Sequence, residues 1–172
     1  ELAEKPPEEL AWDEDEDESW DSWWDMQLKA VEALGNLKAA EAVPTLATIL
    51  EDDSGQDIEA PLLSALARIG ATGEAILLQR LMQGSPLQRR RTARALRETK
   101  SAESYQALIN ALEDSEEDVR EAAVESLAIR GDGACLTAVL ALLQDSSPLV
   151  RNAALHASNH LCDSIDTDLE ID

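Results

Sequence analysis

The chain has no phenylalanine and only five aromatic residues, four Trp and one Tyr. Cysteine occurs twice, at Cys135 and Cys162, far apart in sequence. Two distant thiols give no disulfide framework and set a reducing compartment, the cytoplasm, as the expectation. Lysine is rare, with four residues among 172. No run is long and apolar enough to span a bilayer, and no signal peptide is visible. The chain opens on Glu1 instead of Met, as expected of a processed product or an excised domain. β-branched residues are sparse while Leu and Ala dominate, a mixture that suits helices and opposes a sheet.

The charge is strongly one-sided, and unevenly placed. The net value is −22. Residues 1–25 hold twelve acids and one Lys, and residues 163–172 hold five acids and no base. Sixteen of the 22 surplus charges therefore lie at the two ends, and the body is only mildly acidic. Nucleic-acid binding needs Lys and Arg to displace phosphate counterions, so no nucleic-acid partner is expected. Adhesion to an anionic membrane surface is opposed for the same reason. The expected layout is an acidic Trp-containing segment over 1–21, a repeat body over 22–162 and an acidic tail over 163–172.

Within the body the sequence repeats. Leu34, Leu66, Leu96 and Leu127 are 32, 30 and 31 residues apart. Around them Ala30 and Val31 match Leu62 and Leu63, then Thr92 and Ala93, then Ala123 and Val124. The spacing i, i+1, i+4 marks one face of a helix. A second helix follows in each unit: Val43, Leu46 and Leu50 match Ala75, Leu78 and Met82, then Tyr105, Leu108 and Leu112, then Leu136, Val139 and Leu143. Gly70, Gly73, Gly131 and Gly133 are placed between the helices of units two and four, and Gly55, Gly84, Pro86 and Pro148 between units. First helices are predicted near 22–36, 57–69, 87–99, 117–130 and 149–161, and second helices near 40–51, 73–83, 102–113 and 133–144. Pro44 and Pro61 fall in first turns, where a missing N–H costs little. One such hairpin cannot cover its own apolar face, so the units must stack.

The segment VREAAVESLAIRGDGACLTAVLALLQDSSPLVRNAAL, and ALGNLKAAEAVPTL in the first unit, resemble the HEAT-like repeat of phycobilisome lyase subunits and many other bacterial proteins. The likeness runs over roughly residues 26–160. It implies an all-α fold, a right-handed α–α superhelix of about four hairpins plus a terminal helix. It does not specify function, because unrelated roles use such stacks. Arg91 departs from the pattern, standing where unit four has Ala122.

Arg89, Arg120 and Arg151 recur one repeat apart, and Asp52, Asp114 and Asp145 close second helices. In the HEAT family such residues brace neighbouring turns through charge-assisted hydrogen bonds, so they are read as structural. Arg89, Arg90, Arg91, Arg94 and Arg97 crowd one helix, with Arg90, Arg94 and Arg97 on one face. They form either a solvated outer face or an anion site for an acidic segment. Trp12, Trp20, Trp23 and Trp24 stand in an acid run. They either close the end of the core behind an N-cap at Ser19 or Ser22, or dock on a basic, grooved partner. His156, His160 and Cys162 show H-x3-H-x-C spacing with no other Cys or His nearby, and no metal or other cofactor is expected. No Ser-His-Asp order, Gly-rich phosphate loop or nucleophile elbow appears, and no general acid or base stands out.

By family analogy the second helices line the concave face. Its solvent positions read Glu41, Thr48 and Glu51, then Arg80 and Gln83, then Glu103, Gln106, Asn110 and Glu113, then Thr137 and Gln144. This polar face, with the acidic ends, points to a non-enzymatic scaffold or adaptor that binds another protein. The repeat subtype suggests an alternative, a subunit of a phycobilin-lyase-like chromophore attachment complex. There Cys135 is the one nucleophile candidate on a second helix, at a position that flanks the core and reads as packed. A third reading, a DNA-associated helical-repeat protein, is opposed by the acid surplus.

Overall fold

The computed structural model describes residues 14–52 and 58–169, with side chains described over 23–52 and 58–163. Among the described residues nine α-helices follow one another: α1 Glu14–Asn36, α2 Val43–Glu51, α3 Glu59–Ile69, α4 Ala71–Gln83, α5 Pro86–Ala95, α6 Ala102–Ala111, α7 Glu117–Arg130, α8 Leu136–Ala141 and α9 Pro148–Leu169. Single 3-10 turns lead into α2 and α8 and finish α5 and α8. The odd-numbered helices pack side by side in one layer, α1 on α3, α3 on α5, α5 on α7 and α7 on α9. The even-numbered helices form the second layer, each packed on the odd-numbered helix that follows it. The architecture is a right-handed α–α superhelix of four hairpins closed by a terminal helix.

Local chemistry sets the breaks. Ser85 caps α5 in a reciprocal capping box with Gln88, and Pro86 starts the helix with its φ already suitable. Ser101 caps α6 by accepting from the Ser104 N–H. A single residue, Gly70, joins α3 to α4 at φ 104°, a conformation that penalises any Cβ. Leu62, Leu66, Leu77, Leu96, Leu108, Leu127, Val139 and Leu161 are fully buried and form one continuous core. Each such side chain stabilises the stack by about 1.5–3 kcal/mol relative to exposure.

Four expectations change. First, α1 begins at Glu14, ahead of the expected start near 22, so Ser19 and Ser22 lie inside the helix and neither is its N-cap. The acids from Glu14 to Glu18 fill the first turns, where the helix dipole favours negative charge. Second, α4 is rotated by one residue from the expected register. Glu74, Leu77 and Leu81 face inward, whereas Ala75 and Met82 are exposed, Met82 by 72%. A buried glutamate holds the first core position, which made the apolar pattern read one residue late. Third, Gly73 is not a linker but lies buried within α4. A Cβ there would come within 2.2 Å of the Leu66 carbonyl oxygen, so glycine permits the close crossing of α3 and α4. Fourth, α9 continues to Leu169, through most of the segment expected to be a separate acidic tail. At the other end Ala30 is exposed and Leu34 half-buried, and among the described residues no helix stacks before α1.

Candidate partner-binding surfaces

The arginine–aspartate ladder is built from repeated forks. Arg89 Nε and Nη2 donate to the two carboxylate oxygens of Asp114, each at 2.8 Å, while Nη1 donates to the Gly84 carbonyl at 3.0 Å. One unit on, Arg120 Nε and Nη2 donate to Asp145 at 2.8 and 2.9 Å, and Nη1 reaches the carbonyls of Asp114 and Ser115 at 2.8 and 3.2 Å. Each guanidinium thus ties the turn before its helix to the end of the next helix. Bidentate pairing matches the planar geometry of both groups. The Arg120 guanidinium holds the Asp145 carboxyl below the usual carboxylate range. Burial pushes Asp114 up, but the Arg89 guanidinium and the Glu116 N–H outweigh it, and the carboxyl ends below its ordinary value.

Unit two inverts the polarity. Glu59 on α3 is buried and accepts from both Arg80 of α4 and Arg91 of α5. This explains the departure at Arg91, whose long side chain reaches back one unit to the glutamate. It also places Arg80, expected on the open face, in an internal strut with 11% of its side chain exposed. Glu74 accepts from the hydroxyls of Ser101 and Ser104 on the next hairpin. Two further struts had no repeat signal in the sequence. Arg68 donates to Asn36 and Glu98, linking three units, and Arg130 clasps the carbonyls of Thr99 and Ser101.

The arginine cluster on α5 is largely matched by carboxylates. Arg90 donates to Asp118 at 3.2 Å, and Arg94 lies 3.5 Å from Glu125 and 3.8 Å from Glu121. Arg97 is exposed and forms no ion pair among the described residues. It borders two grooves of the odd-helix layer. One, of about 370 Å³ between α3 and α5, is walled by arginines and by Glu59 and Glu98. The other, of about 620 Å³ between α7 and α9, has an apolar floor of Ala128, Ile129, Leu149, Ala153 and Ala157 and a rim that includes His156 and His160. Across it, burial and then the neighbouring Glu125 raise the Glu121 carboxyl. Among the described residues no three His, Cys, Asp or Glu side chains are placed to share a metal ion.

On the even-helix layer Glu41, Thr48, Gln83, Gln106, Asn110, Glu113, Thr137 and Gln144 are all exposed, as are Glu51 and Glu103. Gln106 donates to Asn110 at 3.0 Å along α6. A shallow groove of about 230 Å³ between α2 and α4 is lined by Ala47, Glu51, Ile76 and Gln83. Withdrawal of Arg80 leaves this face more acidic than its sequence suggests. Leu140, which the sequence reading did not mark, and Met82, which it placed on the core face, are exposed apolar residues of α8 and α4. At the α1 end of the stack, Trp24 packs on the core beside an apolar groove of about 580 Å³, while Trp23 is 53% exposed. Trp20 lies in α1 outside the described side chains, and Trp12 lies outside the described residues. Cys135 is fully buried, and burial raises its thiol pKa; Cys162 is exposed.

Comparison with known proteins agrees with this geometry. The family model for HEAT repeats matches residues 74–159, half of the chain. The chain belongs to the HEAT-repeat family. A second model, the PBS lyase HEAT-like repeat, matches residues 26–52 of this HEAT protein. No curated protein sequence matches it. Among solved structures it is similar to a chain in the complex of CpcE and CpcF of phycocyanin lyase from Nostoc sp. PCC7120, at TM-score 0.53 and 22% identity. That alignment covers 80% of this HEAT chain and 59% of the lyase chain, so the chain spans less than two thirds of that relative. An engineered protein aligns at TM-score 0.50 and 18% identity, over 80% of this chain and 74% of its own. At these identities the likeness establishes the fold. Among the described residues no helix is long and apolar enough to cross a membrane.

Proposed function

We propose that this HEAT stack is a non-enzymatic scaffold that holds another protein on its even-helix face and through its acidic ends. One observation carries the reading: most arginines of the body, Arg97 excepted, are matched by carboxylates or carbonyls, while Glu41, Glu51, Glu103 and Glu113 stay exposed on one layer. Such a surface attracts a basic partner and repels acidic ones. The struts hold it rigid, so little ordering entropy opposes binding. The test is affinity capture with the full chain, with a Glu41→Lys/Glu103→Lys/Glu113→Lys variant, and with a form lacking residues 1–18. The same protein should be held by the full chain and lost on charge reversal, with the far-ultraviolet circular dichroism unchanged. Equal capture by the reversed variant would remove the even-helix face from the proposal, and equal capture by the truncated form would remove the acidic N-terminus.

A second reading is a subunit of a phycobilin-lyase-like attachment complex. It is supported by the PBS lyase repeat match over 26–52 and by the fold shared with a chain of the CpcE–CpcF complex. The burial of Cys135 removes the thiol nominated as a nucleophile, so a lyase role would rest on positioning a chromophore or its acceptor. A bilin-transfer assay with and without a second lyase-type chain discriminates. Stimulated adduct formation on an acceptor protein favours the lyase reading, and its absence leaves the scaffold.

A further inference from the structure

Polar pairs join the outer sides of neighbouring odd-numbered helices, and the pattern changes between α7 and α9. Arg90 and Arg94 of α5 reach Asp118, Glu121 and Glu125 of α7. In the repeat register Glu121 and Glu125 take the places of Arg90 and Arg94 one unit on. Against them α9 sets Leu149, Asn152 and His156, and no Lys or Arg of α9 lines the groove. Both glutamates therefore share Arg94, at 3.8 and 3.5 Å. A second row changes at the same place. Arg68 joins Asn36 to Glu98 across the first three units, but α7 carries Ile129 at that position, 59% exposed. The result is the groove of about 620 Å³, roughly 16 Å long from Leu149 to His160 at the helical rise. Its floor of Ala128, Ala153 and Ala157 permits close approach of another helix. Only odd-numbered helices line it, on the side turned away from the even-numbered layer, so stacking of hairpins does not cover it.

We propose that the α7–α9 groove docks a three-turn amphipathic helix of a partner protein, with a Lys or Arg beside its apolar face for Glu121 and Glu125 and an Asp or Glu two turns away for Arg97. The spacing comes from this chain. Arg97 lines the groove level with Ala128, seven residues past Glu121 in the register, which is about 10 Å along the axis. A helix laid between two parallel helices seats its apolar ridge on Ile129, Leu149 and the alanine floor. No buried strut has to break. Arg97 forms no ion pair among the described residues, and Glu125 and Arg94 are 45% and 44% exposed as side chains. The chain's own ends match poorly: residues 163–172 hold five acids and no base, and residues 1–25 hold twelve acids and one Lys, so either brings repulsion to the two glutamates. The proposal goes beyond the scaffold reading, since it uses the opposite layer from the even-helix face.

The test uses the full chain and a fluorescent synthetic peptide of Leu, Ala and Gln, about sixteen residues long so that it holds a helix. It carries one Lys and one Glu two turns apart at the edge of its apolar face. Fluorescence anisotropy should show saturable binding. Replacing the peptide's Lys by Gln should weaken binding about tenfold, and Glu125→Gln in the protein should do the same; the two together should cost little more than either alone, because they remove one interaction. The peptide's Glu and Arg97→Gln should couple in the same way. Ile129→Gln, on the helix surface, should also weaken binding. Asn152→Arg, which supplies from α9 the cation that α5 gives to α7, should compete with the peptide and weaken it about tenfold. Charge reversal of the even-helix face should leave peptide binding intact, which separates this proposal from the scaffold reading. No saturable binding, equal affinity of the Lys and Gln peptides, strictly additive losses, or loss of binding on even-face reversal would overturn it. Concentration-dependent dimerisation abolished by Ile129→Gln would also overturn it, by assigning the groove to a second copy.

Discussion

Asp145→Ala should destabilise the stack by about 4 kcal/mol. The carboxylate and its partner are 8% and 12% exposed as side chains, so this is a largely buried pair and not a surface bridge. Removing one member of a buried pair leaves an uncompensated charge and costs ~3–5 kcal/mol. Arg120 Nη1 would keep its carbonyl acceptors, which places the charge contribution near the low end, about 3 kcal/mol. Asp145 also accepts from the Ser147 N–H at 2.8 Å, and losing that turn bond adds about 1 kcal/mol. Asp145→Asn keeps an acceptor for both donors and should cost roughly half as much, about 2 kcal/mol. The pair Arg120→Met/Asp145→Leu should recover only part of the loss, because the carbonyls of Asp114 and Ser115 would then lack their donor. Urea unfolding followed by circular dichroism measures all three, with Glu113→Ala as an exposed control expected within about 0.5 kcal/mol of the parent. The pH dependence has a definite sign. The folded carboxyl lies below its unfolded value, so its contribution is present above ~4 and is lost as pH falls through the folded value. The gap between parent and Asp145→Asn should be flat from neutrality to about pH 5 and close below ~4. A loss under about 1 kcal/mol for Asp145→Ala at neutral pH, the range of an exposed bridge, would refute the strut.

Three further predictions follow from packing and burial. Thr92 is fully buried and its hydroxyl has no hydrogen-bond partner among the described residues, so Thr92→Val should stabilise by about 1 kcal/mol, read as a higher thermal midpoint; a fall would show that the hydroxyl is satisfied. Gly73→Ala forces a methyl against the Leu66 carbonyl and should cost about 3 kcal/mol in urea unfolding, and a near-neutral result would mean that α3 and α4 do not cross as closely as described. In native protein at pH 8 Ellman's reagent should titrate Cys162 promptly and Cys135 only on unfolding, and Cys162→Ser should abolish the fast phase; prompt reaction of both thiols would show that the α7–α8 turn opens readily.

The repeat was legible because Leu and Ala recur with helical spacing, and a helical face is a local property of the chain. Hence the four hairpins, the terminal helix and the buried Cys135 follow from the residues alone. The register of α4 did not, because Glu74 occupies a core position and an apolar pattern has no symbol for a buried acid whose partners, Ser101 and Ser104, come from the next hairpin. Arg80 misled for the converse reason. A charged residue at a solvent position reads as exposed unless its partner is known, and Glu59 lies 21 residues away. The same limit applies to α5, where five clustered arginines read as a basic patch until Asp118, Glu121 and Glu125 of α7 are brought alongside.

These pairings decide where recognition can occur. A guanidinium already forked to a carboxylate would have to break that pair to bind an anionic partner, and for Arg89 or Arg120 that sacrifices several kcal/mol. The interior rungs are therefore poor binding residues. Periodicity thus builds the fold by satisfying each unit with its neighbour, which leaves recognition to side chains outside the ladder.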